Sequence, residues 1–258
     1  MNSRIVGCAA VLATVLMTGC TTDWMHSMMR KDPAPITNFL PRNSRLVRQP
    51  DTFPVHYSWM DTNAVAKANF KSAYVAPFDL SYLRKGNGYD EWRDKVAGLE
   101  DSIIELGNYG REAFIKALKA RNLKVVDNPN TPNTAIIELA ITAFVPTRAE
   151  VAVVGTAADF VLPGIGIVSD CLSSGEIAVE CRVRDNATNK VVLMFADTEG
   201  DPNALLSLSK FTYTSSAKYN LKRLAEQFAE SCVIEDASTM RRDFPLGFIN
   251  GPWDAKID

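Results

Sequence analysis

The stretch GEIAVECRVRDNATNKVVLMFAD, residues 175–197, decides the fold. Its first half alternates sharply. Ile177, Val179, Cys181 and Val183 fall on one side, and Glu180, Arg182 and Arg184 on the other. A side-chain period of two over eight or more residues is the mark of a half-buried strand. DNATNK (185–190) is rich in turn formers, and VVLMFAD (191–197) is apolar again. Strand, short polar turn and strand make a β-hairpin. The charged residues Glu176 and Glu180 are read here as surface charges on the hairpin.

The neighbouring segments extend the sheet. TAIIELAITAFVPT (134–147) keeps Ile137, Leu139, Ile141, Ala143 and Val145 apolar, with mixed residues between them, so one of its faces is fully buried and the other partly. LKVVD (123–127) predicts a short strand closed by NPNTPN, and ANFKSAYVAPFD (68–79) predicts a strand over 70–76. Between them Trp92, Val96, Leu99, Ile103, Leu106, Gly110, Ala113 and Ala117 recur at steps of three and four. This is the apolar stripe of a long helix over 90–122. Gly107 and Gly110 each weaken that helix by about 1 kcal/mol relative to Ala, so they should mark a close approach or a bend. A last amphipathic helix, 215–233, carries Leu221, Leu224, Ala225, Phe228 and Cys232 on one face. The order β-α-β-β-β-β-α predicts an α/β fold, a single mixed sheet of about five strands with two helices packed on it.

Cys20 fixes where the chain resides. It follows a 13-residue apolar run, Ile5–Met17, and two small residues, Thr18 and Gly19. The run is too short for a spanning helix, which needs about 20 residues, and has the length of a signal-peptide core. The arrangement resembles the bacterial lipoprotein signal, with Met17 where Leu is usual. The resemblance implies cleavage before Cys20, lipid on its thiol, and anchoring without a transmembrane helix. Thr21 and Thr22, in place of an Asp, imply an outer-membrane location facing the periplasm. The expected organisation is a signal peptide over 1–19, a tether over 20–52 with four prolines, one α/β domain over 53–240, and a C-terminal tail over 241–258.

Charge and motifs narrow the function. The chain has 28 Lys+Arg against 30 Asp+Glu, and losing residues 1–19 takes out Arg4 alone, so the net charge goes from −2 to −3. A nucleic-acid binder should show a basic excess, so no nucleic-acid partner is expected. His26 and His56 both lie outside the segments that read as folded, which argues against a zinc site or a Ser-His-Asp triad. SLSK (207–210) matches S-x-x-K without its companion motifs, and PGIG (163–166) is a lone G-x-G. No catalytic residue, cofactor or metal is therefore expected, and the chain is read as a non-enzymatic protein.

Two features remain. Of the cysteines after Cys20, Cys181 and Cys232 both belong to apolar faces that should meet between sheet and helix. They form a disulfide only if their Cα atoms come within about 7 Å; otherwise they are two buried thiols. VAVVGTAADFVLPGIGIVSDCLSSG (151–175) is Gly-rich and apolar. It either covers a sheet edge or presents Val151, Val154, Phe160, Val161, Ile165 and Ile167 to a partner.

FLPRNSRL, YVAPFDLSYL, YGREAFIKAL, VVDNP, IIELAITAFVPT and the hairpin together resemble an uncharacterised family of bacterial lipoproteins of unknown function. The likeness covers most of residues 38–236. Members carry an acidic residue and a Thr-Gly turn in the hairpin, and Asn189 stands here where Gly is usual. The element order is also similar, at the level of fold, to periplasmic assembly lipoproteins such as LpoB, the N-terminal domain of TolB and the periplasmic domain of CsgG. The resemblance implies a lipid-anchored envelope protein that binds or helps assemble another envelope component. The alternative is an oligomerising structural subunit of an envelope or secretion complex.

Overall fold

The computed structural model describes residues 32–50, 53–83, 98–145, 176–200 and 214–233. Six strands form one mixed sheet: β1 (Val47–Arg48), β2 (Tyr57–Met60), β3 (Ser72–Val75), β4 (Thr134–Val145), β5 (Glu176–Asp185) and β6 (Val191–Gly200). Their spatial order is β1-β2-β6-β5-β4-β3, parallel only between β3 and β4. Three helices accompany it: α1 (Thr62–Ala68), α2 (Leu99–Ala120) and α3 (Ser215–Ser231). The α/β class, the mixed sheet, the long helix and the closing helix are those the sequence predicts. The unforeseen elements are β1, β2 and α1.

The hairpin β5–β6 is the centre of the sheet. Cys181 lies opposite Phe195 on β6 and opposite Leu139 on β4. The turn explains why Asn189 can replace glycine. Its φ is 56°, the left-handed region that only Gly and Asn enter readily. Asp185 closes the turn by accepting from the Ala187 amide at 3.0 Å and the Thr188 hydroxyl at 2.6 Å. Strand β6 runs on through Asp197, Thr198 and Glu199 to Gly200, because each has a partner on β5.

The helices cover one face. Ile137, Leu139, Ile141, Ile177, Val179, Cys181, Val183 and Phe195 form its floor. Phe114 of α2 and Phe228 of α3 meet above it with ring centroids 5.6 Å apart, and Phe228 lies 5.9 Å from Phe195. In β4 the alternation of odd positions holds as far as Ile141. A register shift between Ile141 and Ala143 then turns Phe144 into the core in place of Ala143. Arg111 of α2 donates to the Val75 carbonyl at 3.0 Å and ties the helix to β3.

Several expectations need correction. LKVVD makes no strand; Val125 forms a single parallel bridge to Ala73. Gly107 and Gly110 do mark close approaches, to the Phe78 side chain and to Leu221 of α3. Residues 33–50, read as tether, lie on the domain. Phe39 and Leu40 are buried against Ala140, Met194 and Ala196 on the sheet face opposite the helices. That segment changes the reading of the hairpin charges as well, since Glu180 is only 2% exposed. An alternating strand leaves its polar face wet only if nothing covers it.

Candidate functional site

Face by face, three clusters could carry function. The first lies under the N-terminal segment. The Thr37 amide donates to Glu180 Oε1 at 2.6 Å and its hydroxyl to Oε2 at 2.7 Å. The Ala34 amide donates to Thr198 Oγ1 at 2.8 Å. Arg182 donates to the Phe39 carbonyl at 2.7 Å and lies 4.4 Å over the Phe39 ring. Beside it, Arg182 Nε and Arg184 Nη2 hold the two oxygens of Glu138 at 2.6 and 2.5 Å. Burial pushes the Glu138 carboxyl up, but the hydrogen bonds from Arg184 and Arg182 outweigh it and hold it below its ordinary value. Glu180, Thr198 and Arg182 bind the strap at 33–40 to the strands, and Glu138 ties Arg182 and Arg184 across β4 and β5.

The second cluster lies beside α3. His56 Nδ1 sits 2.6 Å from Asp197 Oδ1, and the His56 amide donates to the same oxygen at 3.1 Å. Arg223 pairs with Glu199, and Asn220 donates to the Gly200 carbonyl at 3.1 Å. His56, Asp197, Glu199 and Arg223 are all buried. His56 was placed outside the fold by its sequence neighbourhood; its position in a strand-capping loop beside β6 puts it inside. An Asp-His pair is a familiar catalytic part, but here the imidazole is 2% exposed. The sequence signal that could have found the cluster is the acidic run DTEG at the end of an apolar strand.

The third feature is an apolar groove on the helix-covered face, where α3 stops short of β2. Phe53, Val55, Met60, Leu193, Leu224 and Phe228 line it, and it holds about 140 Å³. Gln227 lines it too, is 3% exposed, and its amide nitrogen has no hydrogen-bond partner.

Of the residues singled out from sequence, Cys20 and Val151, Val154, Phe160, Val161, Ile165 and Ile167 lie outside the described residues, as does Cys171. Cys181 is fully buried in the core and Cys232 caps the exposed end of α3; both thiols are free. Burial raises the Cys181 thiol well above its ordinary value and pushes that of Cys232 up to about 11. Among the described residues no group of acidic, His and Cys side chains is arranged to hold a metal.

With this geometry in hand, the relatives can be placed. Residues 35–230 match the family model described as "Protein of unknown function (DUF3313)". The chain belongs to the DUF3313 family. The matched span begins within the strap and ends within α3, so the family unit takes in the N-terminal segment that covers the sheet. No curated protein matches the DUF3313 chain. Among solved structures it is similar to two of the PelC dodecamer from Paraburkholderia phytofirmans, one of them a point variant. The TM-scores are 0.32 for the variant and 0.34 for the other, each at 11% identity. Each comparison covers 61% of this chain, and 86% and 87% of the respective PelC chains.

Proposed function

We propose that this DUF3313 chain is a non-enzymatic envelope protein, held by lipid on Cys20 at the outer membrane facing the periplasm, that works by assembly. It assembles with copies of itself or with another envelope component. One observation carries the reading. Among the described residues, His56 and Asp197, and Arg223 and Glu199, are buried against one another, whereas the groove beside α3 is open and apolar. Polar groups locked into structural pairs do not turn over substrate, and an apolar recess is the surface that association uses. PelC is a dodecamer; the self-assembled form of this proposal would make the two alike in that respect. The anchor follows from Val15–Cys20, and lipid held by more than one acyl chain is needed for stable attachment.

Palmitate labelling in cells, followed by membrane fractionation and chemical crosslinking, tests it. The chain should take up label and sediment with outer membranes, and crosslinking should yield a discrete heavier species. Cys20→Ala should lose the label. Label that survives Cys20→Ala contradicts the anchor, and a chain that crosslinks to nothing contradicts the assembly.

A further inference from the structure

The groove between α3 and β2 has three properties that together define what fits it. Its walls are apolar: Phe53 and Val55 on one side, Leu224 and Phe228 of α3 on the other, with Leu193 and Phe195 beneath. Its volume, about 140 Å³, is that of a cavity that accepts one benzene-sized group. A side chain of Phe or Leu size fits, and a charged one does not.

The second property is the Gln227 amide. It lines the groove from within α3 at 3% exposure, with no hydrogen-bond partner for its nitrogen. A buried amide left unpaired is costly, so its presence calls for a polar partner on the occupant. A hydrocarbon chain has none to give. A peptide group offers a carbonyl acceptor, which is what the unpaired Gln227 nitrogen, a donor, requires.

The third is the edge of β2. Strand β1 pairs only with Tyr57 and Ser58, whereas β6 pairs with all of Tyr57–Met60. Among the described residues no strand lies beside Trp59 and Met60 on the outer side. Met60 itself is 46% exposed and lines the groove. An open strand edge next to an apolar recess is the arrangement by which an extended peptide docks, backbone on the edge and one side chain in the recess.

We infer that this groove is a docking site for an extended, uncharged peptide segment of a partner protein, which inserts one large apolar side chain between α3 and loop 53–55 and accepts a hydrogen bond from the Gln227 amide nitrogen at a backbone carbonyl. The inference deepens the assembly reading above and rests on it, by giving the assembly a docking site and a partner chemistry.

The test uses the full chain in phospholipid nanodiscs. The probe is a phenylalanine bearing a photoreactive diazirine, capped by acetyl and methylamide groups. Label should map to Met60, Leu193 and Phe228, and N-acetylphenylalanine methylamide should compete for it. Gln227→Leu should weaken that competitor about tenfold while leaving competition by toluene unchanged, since toluene lacks the amide. Ser58→Phe, which places a ring in the groove from its strand, should abolish labelling with the circular dichroism of the chain unchanged. Two results overturn the inference: label spread outside the groove, or toluene and palmitate competing as well as the amide with no effect of Gln227→Leu. A photoreactive residue placed in cells at Met60 or at exposed Tyr219 separates the two claims. Capture of a partner from Tyr219 alone leaves assembly standing and removes the groove from it. Capture of a second copy at Met60 also overturns the partner assigned here.

Discussion

Glu180 shows how a single residue changes meaning when its surroundings change. Within its strand it has the position of a solvent-facing charge, yet both its oxygens are bound by Thr37. Removing the carboxylate leaves the Thr37 amide and hydroxyl without their acceptor, at a cost of about 1–3 kcal/mol. Glu180→Ala should lower the unfolding free energy read from urea melts by that amount and open the chain near residues 33–40 to protease; unaltered protease resistance would show that the strap is held by other contacts. Asn189 makes the complementary case. Asn189→Ala places a β-carbon at φ 56° and should destabilise by about 1 kcal/mol, whereas Asn189→Gly should be close to neutral. Urea melts of the two variants check the order. Glu138 and Asp185 give the acid limb of stability, since both carboxyls are held below their ordinary values of 4.5 and 3.8. Their contribution is fully present above those values and is lost as pH falls through the lower folded-state ones. Stability should therefore drop as pH falls below about 4.5, and Glu138→Gln should flatten that drop. The two cysteines carry their own expectation. With the Cys181 thiol buried and that of Cys232 pushed up to about 11, maleimide at pH 8 should react slowly at these two positions in the native chain and quickly once urea unfolds it, as peptide mapping reads. Rapid native labelling at Cys181 would contradict its burial.

At the scale of elements, legibility followed length and period. The hairpin, β4 and both long helices were legible because eight or more residues repeat one pattern, and packing against α2 and α3 reinforces it. The edge was not. Strand β2 is the four residues YSWM after two prolines, and it exists because β6 pairs with all of them. The strap was invisible for a similar reason. Phe39 and Leu40 sit alone among prolines and basic residues, and their burial depends on a sheet face formed about 100 residues or more later in sequence. His56 and Asp197 could not be paired from sequence because 141 residues separate them. The glycines of α2 were legible as close contacts, though not what they contact. A β-carbon on Gly110 would lie 3.0 Å from the Phe78 ring and 3.2 Å from Leu221; on Gly107 it would lie 3.3 Å from the Phe78 β-carbon. Gly110→Ala gains about 1 kcal/mol of helix propensity and loses about 1–3 to overpacking. We expect a net loss there and near-neutrality for Gly107→Ala, read by thermal melts; a clearly stabilised Gly110→Ala would mean that the Phe78 ring yields.

At the scale of the whole molecule, the lipid site proposed at Cys20 precedes a packed domain. Ala34, the first residue of the strap bonded to the sheet, is 14 residues from Cys20. Fully extended, those residues reach no more than about 50 Å, so the anchor proposed above would keep the domain within that distance of the membrane. The strap covers one sheet face, and the groove opens on the opposite face beside α3. On the reading proposed above, such a chain works by association near a membrane. The most direct measurement of that claim is the native mass of the full chain extracted gently from envelope membranes. The account predicts a discrete species several times heavier than one lipidated chain. A single lipidated chain, free of any partner under conditions that keep other envelope complexes intact, would contradict it.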